Sequence, residues 1–150
     1  MSPARPARRT ARARAALLAL WALLCAPVLA GCGGVRAADL FLVERSGSVP
    51  GARLTMLVNE EGGVHCNGGP TLKLGDAQLI EARTIQEDLR DPAAKHIALA
   101  RGPQSVLSYR VREEAGSVSF SDDSAGQPAV FRRLALFVLK TAQRVCHMPL

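Results

Sequence analysis

The fold is decided by the stretch Arg53-Leu54-Thr55-Met56-Leu57-Val58-Asn59-Glu60-Glu61-Gly62-Gly63-Val64-His65-Cys66-Asn67. Leu54, Met56 and Val58 share one face and Arg53, Thr55 and Asn59 the other, which is the period of a strand with one buried face. The pair Gly62-Gly63 accepts the positive φ angles of a tight turn, and the alternation resumes after it. The stretch therefore predicts a hairpin of an antiparallel sheet.

Outward from this hairpin, further apolar runs predict strands at 40–45, 105–113 and 117–121. One helix is expected to follow an N-cap at Asp76 and to stop at Asp91-Pro92, since the residue before proline disfavours helix. Pro128 suits the first turn of a second helix with a wide apolar stripe.

The predicted order is one strand, then two strands and a helix, then two strands and a helix. Amphipathic helices and a sheet with one apolar face predict an α+β fold, a two-layer sandwich. Its antiparallel sheet has four to five strands, and both helices lie on one face. Residues 40–150 are expected to form a single α+β domain.

The N-terminal segment has the pattern of a secretory signal peptide. Residues 1–14 carry five arginines and no acid, and residues 15–30 carry no charge. The apolar run is shorter than the ~20 residues that a spanning helix needs, which disfavours the alternative of a retained signal anchor. The pair Arg8-Arg9 leaves export by the twin-arginine route open beside the general route.

The end of this segment, Leu29-Ala30-Gly31-Cys32, resembles the lipobox of bacterial lipoproteins at every position. The resemblance implies cleavage between Gly31 and Cys32 and a diacylglycerol on the Cys32 sulfur. Residues 1–31 would be removed, and 32–39 would form a lipidated tether. The expected location is the extracytoplasmic side of the cell membrane, with the membrane bound through the lipid on Cys32. An ordinary cleaved signal peptide is the alternative.

The basic charge of the chain is concentrated in the leader. The formal net charge is +6, from 19 Lys and Arg against 13 Asp and Glu. Five of these arginines precede Cys32, so the segment from Cys32 onward is close to neutral. A nucleic-acid partner is not expected, because it would require a basic patch on the folded domain.

Four cysteines are present. Cys25 would leave with the leader and Cys32 would carry lipid, so Cys66 and Cys146 are predicted to form a disulfide in an oxidising compartment. The alternative is a zinc site that adds the two flanking histidines. Adjacent residues of a strand point to opposite faces, which disfavours His65 and Cys66 as ligands of one metal.

The sequence has no motif for catalysis. Its three histidines are isolated from one another, and no nucleophile elbow, phosphate loop or dinucleotide fingerprint occurs. Asp122-Asp123-Ser124 offers oxygen ligands for calcium but lacks EF-hand spacing. We therefore expect no catalytic residues, no metal and no cofactor.

The first strand ends in Arg45-Ser46-Gly47-Ser48-Val49-Pro50-Gly51. This stretch, with a later strand pair and a C-terminal helix, resembles the emfourin-type bacterial inhibitors of metalloproteases. Ser48 stands where that family favours a second glycine. The resemblance implies a binding loop formed by Ser46, Gly47, Ser48, Val49, Pro50 and Gly51, named here the 46–51 loop. A plain turn is the alternative.

These features predict a lipid-anchored extracytoplasmic binding or envelope-associated protein without catalytic activity. An envelope protein is its expected partner. A protease inhibitor is the first alternative, and a secreted enzyme is the least favoured one.

Overall fold

The computed structural model describes residues 38–148. The predicted signal peptide at 1–31, the lipobox at 29–32 and the tether up to residue 37 lie outside the described residues. Within those residues, neither helix is long and apolar enough to cross a membrane.

The described residues form six strands and two helices. In chain order these are β1 (Asp39–Gly47), β2 (Leu54–Asn59), β3 (Gly63–Cys66), β4 (Thr71–Lys73), α1 (Asp76–Ala94), β5 (Leu107–Glu113), β6 (Gly116–Ser121) and α2 (Ala129–Arg144).

The strands make one antiparallel sheet in the order β4-β3-β2-β1-β5-β6, so β1 lies inside it, between β2 and β5. Val43 on β1 lies opposite Met56 on β2 and Val111 on β5, and all three side chains are buried. Glu44, the next residue, pairs with Arg110 and points to the opposite face. This alternation is the one that the hairpin sequence predicts.

Both helices cover the apolar face of the sheet. Ile85 and Leu89 of α1 join the same buried cluster as Phe137 of α2. The Phe137 ring meets Phe41 of β1 edge-on, with ring centroids 5.9 Å apart. The predicted α+β class is confirmed, with one antiparallel sheet and two helices.

The sheet has six strands, one more than the upper predicted number. The additional strand is β4, in which Leu72 pairs with Val64 of β3. It has only three residues and directly follows Pro70, so it contains too few alternating positions to be recognised from the pattern. It lies at an edge of the sheet, where short strands are common.

The predicted ends of α1 need two corrections. Gly75, not Asp76, is the N-cap, and the helix continues through Pro92 to Ala94. Near the end of a helix, proline removes only one backbone hydrogen bond, which is a small loss. The Pro92 carbonyl still accepts a hydrogen bond from the Ile97 N–H at 3.1 Å. The chain leaves the helix at His96, whose φ is 50°.

A disulfide joins Cys66, the last residue of β3, to Cys146, two residues after α2. The Cα atoms are 6.1 Å apart. The bond therefore links the sheet layer to the helix layer across 80 residues of sequence.

Candidate functional site

The 46–51 loop connects the end of β1 to β2 and contains a tight turn. The Ala52 N–H donates to the Val49 carbonyl at 3.1 Å, and Gly51 has a φ of 71°. Proline followed by a glycine with positive φ is typical of a type II turn, in which Pro50 and Gly51 occupy the two central positions. The local sequence therefore dictates the shape of the loop tip.

The base of the loop is fixed to β5. Gly47 pairs with Leu107, and the Ser48 N–H donates to the Val106 carbonyl at 3.1 Å. A Cβ atom on Gly47 would collide with that same Val106 carbonyl. Glycine is required here because the two chain segments approach each other so closely.

Arg45 closes the loop from inside the protein. Arg45 is only 3% exposed, and its side chain extends toward the loop and not toward solvent. Nε donates to the Ala52 carbonyl at 3.0 Å, and Nη2 donates to the Gly51 carbonyl at 3.0 Å. These two bonds satisfy backbone acceptors on one edge of the guanidinium.

One nitrogen of the Arg45 guanidinium lacks a hydrogen-bond partner. Nη1 is buried and makes no hydrogen bond with the described residues. The only two ion pairs among these residues are formed by Arg112 and by Arg133. A buried charge without a counter-charge is costly, so an anion at this position would be stabilised.

An apolar pocket of about 340 Å³ lies between the loop and β5. Its lining residues are Arg45, Val49, Pro50, Gly51, Ala52 and Leu107. Pockets that bind small ligands are of this size and are mostly apolar with a few polar groups. Arg45 supplies that polar group here.

Two exposed apolar side chains lie at or beside the pocket. Four large hydrophobic residues are exposed within the described part of the chain. Val49 in the 46–51 loop is 42% exposed, and Val106, directly before β5, is 41% exposed. The hydrogen bond from the Ser48 N–H to the Val106 carbonyl holds these two segments together. The other two exposed hydrophobic residues are on the helices.

Tyr109 on β5 lies directly opposite Arg45. Its ring stacks on Phe120 with centroids 5.0 Å apart, and Phe120 stacks on Phe131 of α2 at 4.6 Å. Burial raises the pKa of the Tyr109 hydroxyl, the positive charge of Arg45 opposes that rise, and the charge of Asp122 adds to it. A side-chain hydrogen bond with Arg45 also lowers the pKa. Arg45 and Tyr109 thus form one electrostatic unit at this end of the sheet.

The acidic pair after β6 has a structural role. Asp122 Oδ2 accepts from the Leu107 N–H at 3.1 Å, and its carboxylate also accepts from the Val106 N–H. Asp123 Oδ2 accepts from the Gln104 N–H at 2.8 Å. These carboxylates order the chain that enters β5, and this backbone capping accounts for the pair without a calcium ion.

The histidines are accounted for locally. His65 Nδ1 lies 3.1 Å from the Gly69 carbonyl, and His65 Nε2 lies 3.2 Å from Thr71 Oγ1. The His65 ring therefore bridges the turn after β3. His96 and His147 occupy positive-φ positions of turns. Within residues 38–148, no three His, Cys, Asp or Glu side chains cluster as a metal site. The two cysteines that a zinc site would use are bonded to each other.

The sequence prediction named the 46–51 loop and missed the two residues beneath it. Arg45 follows Phe41 and Val43 at intervals of two, so strand periodicity places it on the buried face. An arginine at an inward position was the available signal. Tyr109 was recognised only as one of the inward residues of its strand.

No protein-family model, no curated protein and no solved structure matches this chain.

Proposed function

We propose that the protein is a lipid-anchored binding protein that faces away from the cytoplasm, has no catalytic activity and uses the 46–51 loop as its binding surface. One observation carries the binding role. The loop carries exposed Val49 and overlies an apolar pocket that Arg45 lines, and the Nη1 atom of Arg45 is buried without a hydrogen-bond partner. Exposed apolar groups beside a preformed pocket favour binding over a purely structural turn.

The lipid anchor rests on the lipobox, which lies outside the described residues. A diacylglycerol supplies two acyl chains, which gives stable attachment where a single chain does not. We expect the mature N-terminus to be Cys32 with a diacylglycerol mass added. The Cys32→Ser variant is the control and should lack both the cleavage and the added mass. An unmodified Cys32 in the wild type, or a different N-terminus, would refute the anchor.

Site-directed photocrosslinking in intact cells tests the binding role. A benzoyl-phenylalanine in place of Val49 should capture a discrete envelope partner. The same residue in place of Ile80, which is 64% exposed on α1, is the matched control. Equal capture from both positions, or none from position 49, would refute a binding surface at the loop.

Protease inhibition is the second candidate. The turn at Pro50 and Gly51, the Arg45 bonds and the pairing with β5 hold the loop in one conformation. Such preorganisation lowers the entropy cost of binding in a protease cleft. Inhibition of a secreted metalloprotease at micromolar concentration, lost in a Val49→Asp variant, would establish this role. No inhibition by the wild type would exclude it.

A further inference from the structure

We propose that the pocket beneath the 46–51 loop binds a carboxylate group that is attached to a short aliphatic chain. This inference rests on the proposed binding role of the loop and specifies the chemistry of its ligand. The guanidinium of Arg45 would receive the carboxylate, and the aliphatic wall of the pocket would receive the chain.

The donor geometry supports a carboxylate. Nε and one hydrogen of Nη2 already serve the carbonyls of Ala52 and Gly51. The Arg45 side chain also hydrogen-bonds with Tyr109, and Nη1 is the nitrogen that is left without a partner. A charge-assisted N–H bond to a carboxylate oxygen is about twice as strong as a bond between neutral groups.

Burial strengthens the case for an anion. Arg45 is 3% exposed, its Nη1 atom is shielded from water, and no carboxylate of the described residues forms an ion pair with it. The desolvation of the arginine is thus complete before a ligand arrives. A ligand carboxylate would gain an ion pair while adding only its own desolvation cost.

The rest of the pocket favours a monoanion with an aliphatic part. Val49, Pro50, Ala52 and Leu107 provide its apolar walls, and Arg45 is its single cationic side chain. A dianionic phosphate would leave one charge uncompensated in this environment. Because Nη1 is shielded, a carboxylate reaches it only after a neighbouring side chain moves.

Two sources can present this chemistry: a free carboxylic acid, or the C-terminal carboxylate of a peptide that ends in an aliphatic residue. N-acetyl-L-leucine mimics both, and the tripeptide Ala-Ala-Leu represents the second. The two corresponding amides remove the charge while they keep the shape. Tighter binding of the tripeptide than of N-acetyl-L-leucine would identify a peptide terminus, and equal binding would identify a small acid.

Binding is measured by NMR titration of the isotopically labelled, purified full chain. We expect N-acetyl-L-leucine to bind with a Kd of about 1 mM or below and to shift the Gly51, Ala52 and Leu107 amide resonances. The amide should bind about tenfold or more weakly, because charge-assisted bonds are lost. The Arg45→Met variant should lose binding to the same extent.

A second variant protects the test against misfolding of Arg45→Met. Val49→Asp adds a negative charge at an exposed lining residue, and we expect it to weaken acid binding by about tenfold. Ile80→Asp makes the same type of change on α1 and should leave binding unchanged. Equal affinity of the acid and its amide, or no binding of the acid by the wild type, would overturn the carboxylate proposal.

The test of acid binding can fail while the test of the proposed binding role succeeds. Capture of a partner by the residue at position 49 without acid binding would refute the ligand chemistry and leave the binding role intact. Acid binding that is indifferent to Val49→Asp would place the ligand elsewhere and refute the pocket.

Discussion

The Nε atom of Arg45 donates to the carbonyl oxygen of Ala52 across 3.0 Å, and the bond is buried. It joins the inward face of β1 to the chain that has just left the 46–51 loop. The loop is therefore closed by a charged side chain from below as well as by its own turn. This arrangement ties the shape of the loop to a single residue.

Arg45→Met should lower the free energy of unfolding by about 1–3 kcal/mol, because two carbonyls lose their donor. Urea unfolding measures this change. Hydrogen exchange of the Ala52 amide, which bonds to Val49 across the turn, should become faster. Arg53→Met is the matched control, since Arg53 is exposed, and it should change stability by less than about 0.5 kcal/mol. Equal losses in the two variants would contradict the role of Arg45.

Tyr109 should titrate above the ordinary tyrosine range in the folded protein. It is the only tyrosine of the chain, so phenolate absorbance reports on it alone. The folded state keeps the proton more tightly than the unfolded chain, whose tyrosine pKa is about 10. The stabilising contribution of this group is thus complete below about pH 10 and is lost as the pH rises through the folded pKa.

Two variants test the cause of that pKa shift. Arg45→Met should raise the Tyr109 pKa further, because the charge that opposes the rise is removed. Asp122→Asn should lower it, because a neighbouring negative charge is removed. A pKa that moves in the same direction in both variants would rule out the electrostatic unit.

Loss of the Cys66–Cys146 bond should reduce the free energy of unfolding by about 4 kcal/mol, the chain-entropy value for a closed loop of this length. Denaturant unfolding of the wild type with and without a reducing agent measures the effect. A variant with both cysteines replaced by serine should not respond to the reducing agent. An unchanged unfolding curve after reduction of the wild type would contradict a stabilising bond.

Asp122→Asn should cost about 1.5–3 kcal/mol of stability, because its carboxylate makes charge-assisted bonds to two backbone N–H groups. Thermal unfolding compares it with Glu114→Gln, which alters an exposed acid at the β5–β6 turn and should change stability little.

Calcium at millimolar concentration should leave the melting temperature of the wild type unchanged. A rise in that temperature would restore the calcium interpretation.

Much of the fold was predictable from the sequence because buried side chains recur about every two residues in a strand and every three to four residues in a helix. Met56 and Val58 obey the first rule and Leu89 the second. Strand β4 was missed because three residues do not establish a period. The end of α1 was misplaced because proline near a helix terminus costs one bond, which packing of Ala93 in the core offsets.

Sequence by itself determined the α+β class and the two-residue alternation of the strands, from which the inward position of Arg45 also follows, because each depends on neighbours in the chain. Only the tertiary structure decided that Arg45 meets the carbonyls of Gly51 and Ala52 and leaves Nη1 unpartnered. That outcome depends on where β5 brings Leu107 and Tyr109, more than 60 residues away. Long-range contacts of this kind set the depth of a pocket and the pairing of a charge, and no local pattern encodes them.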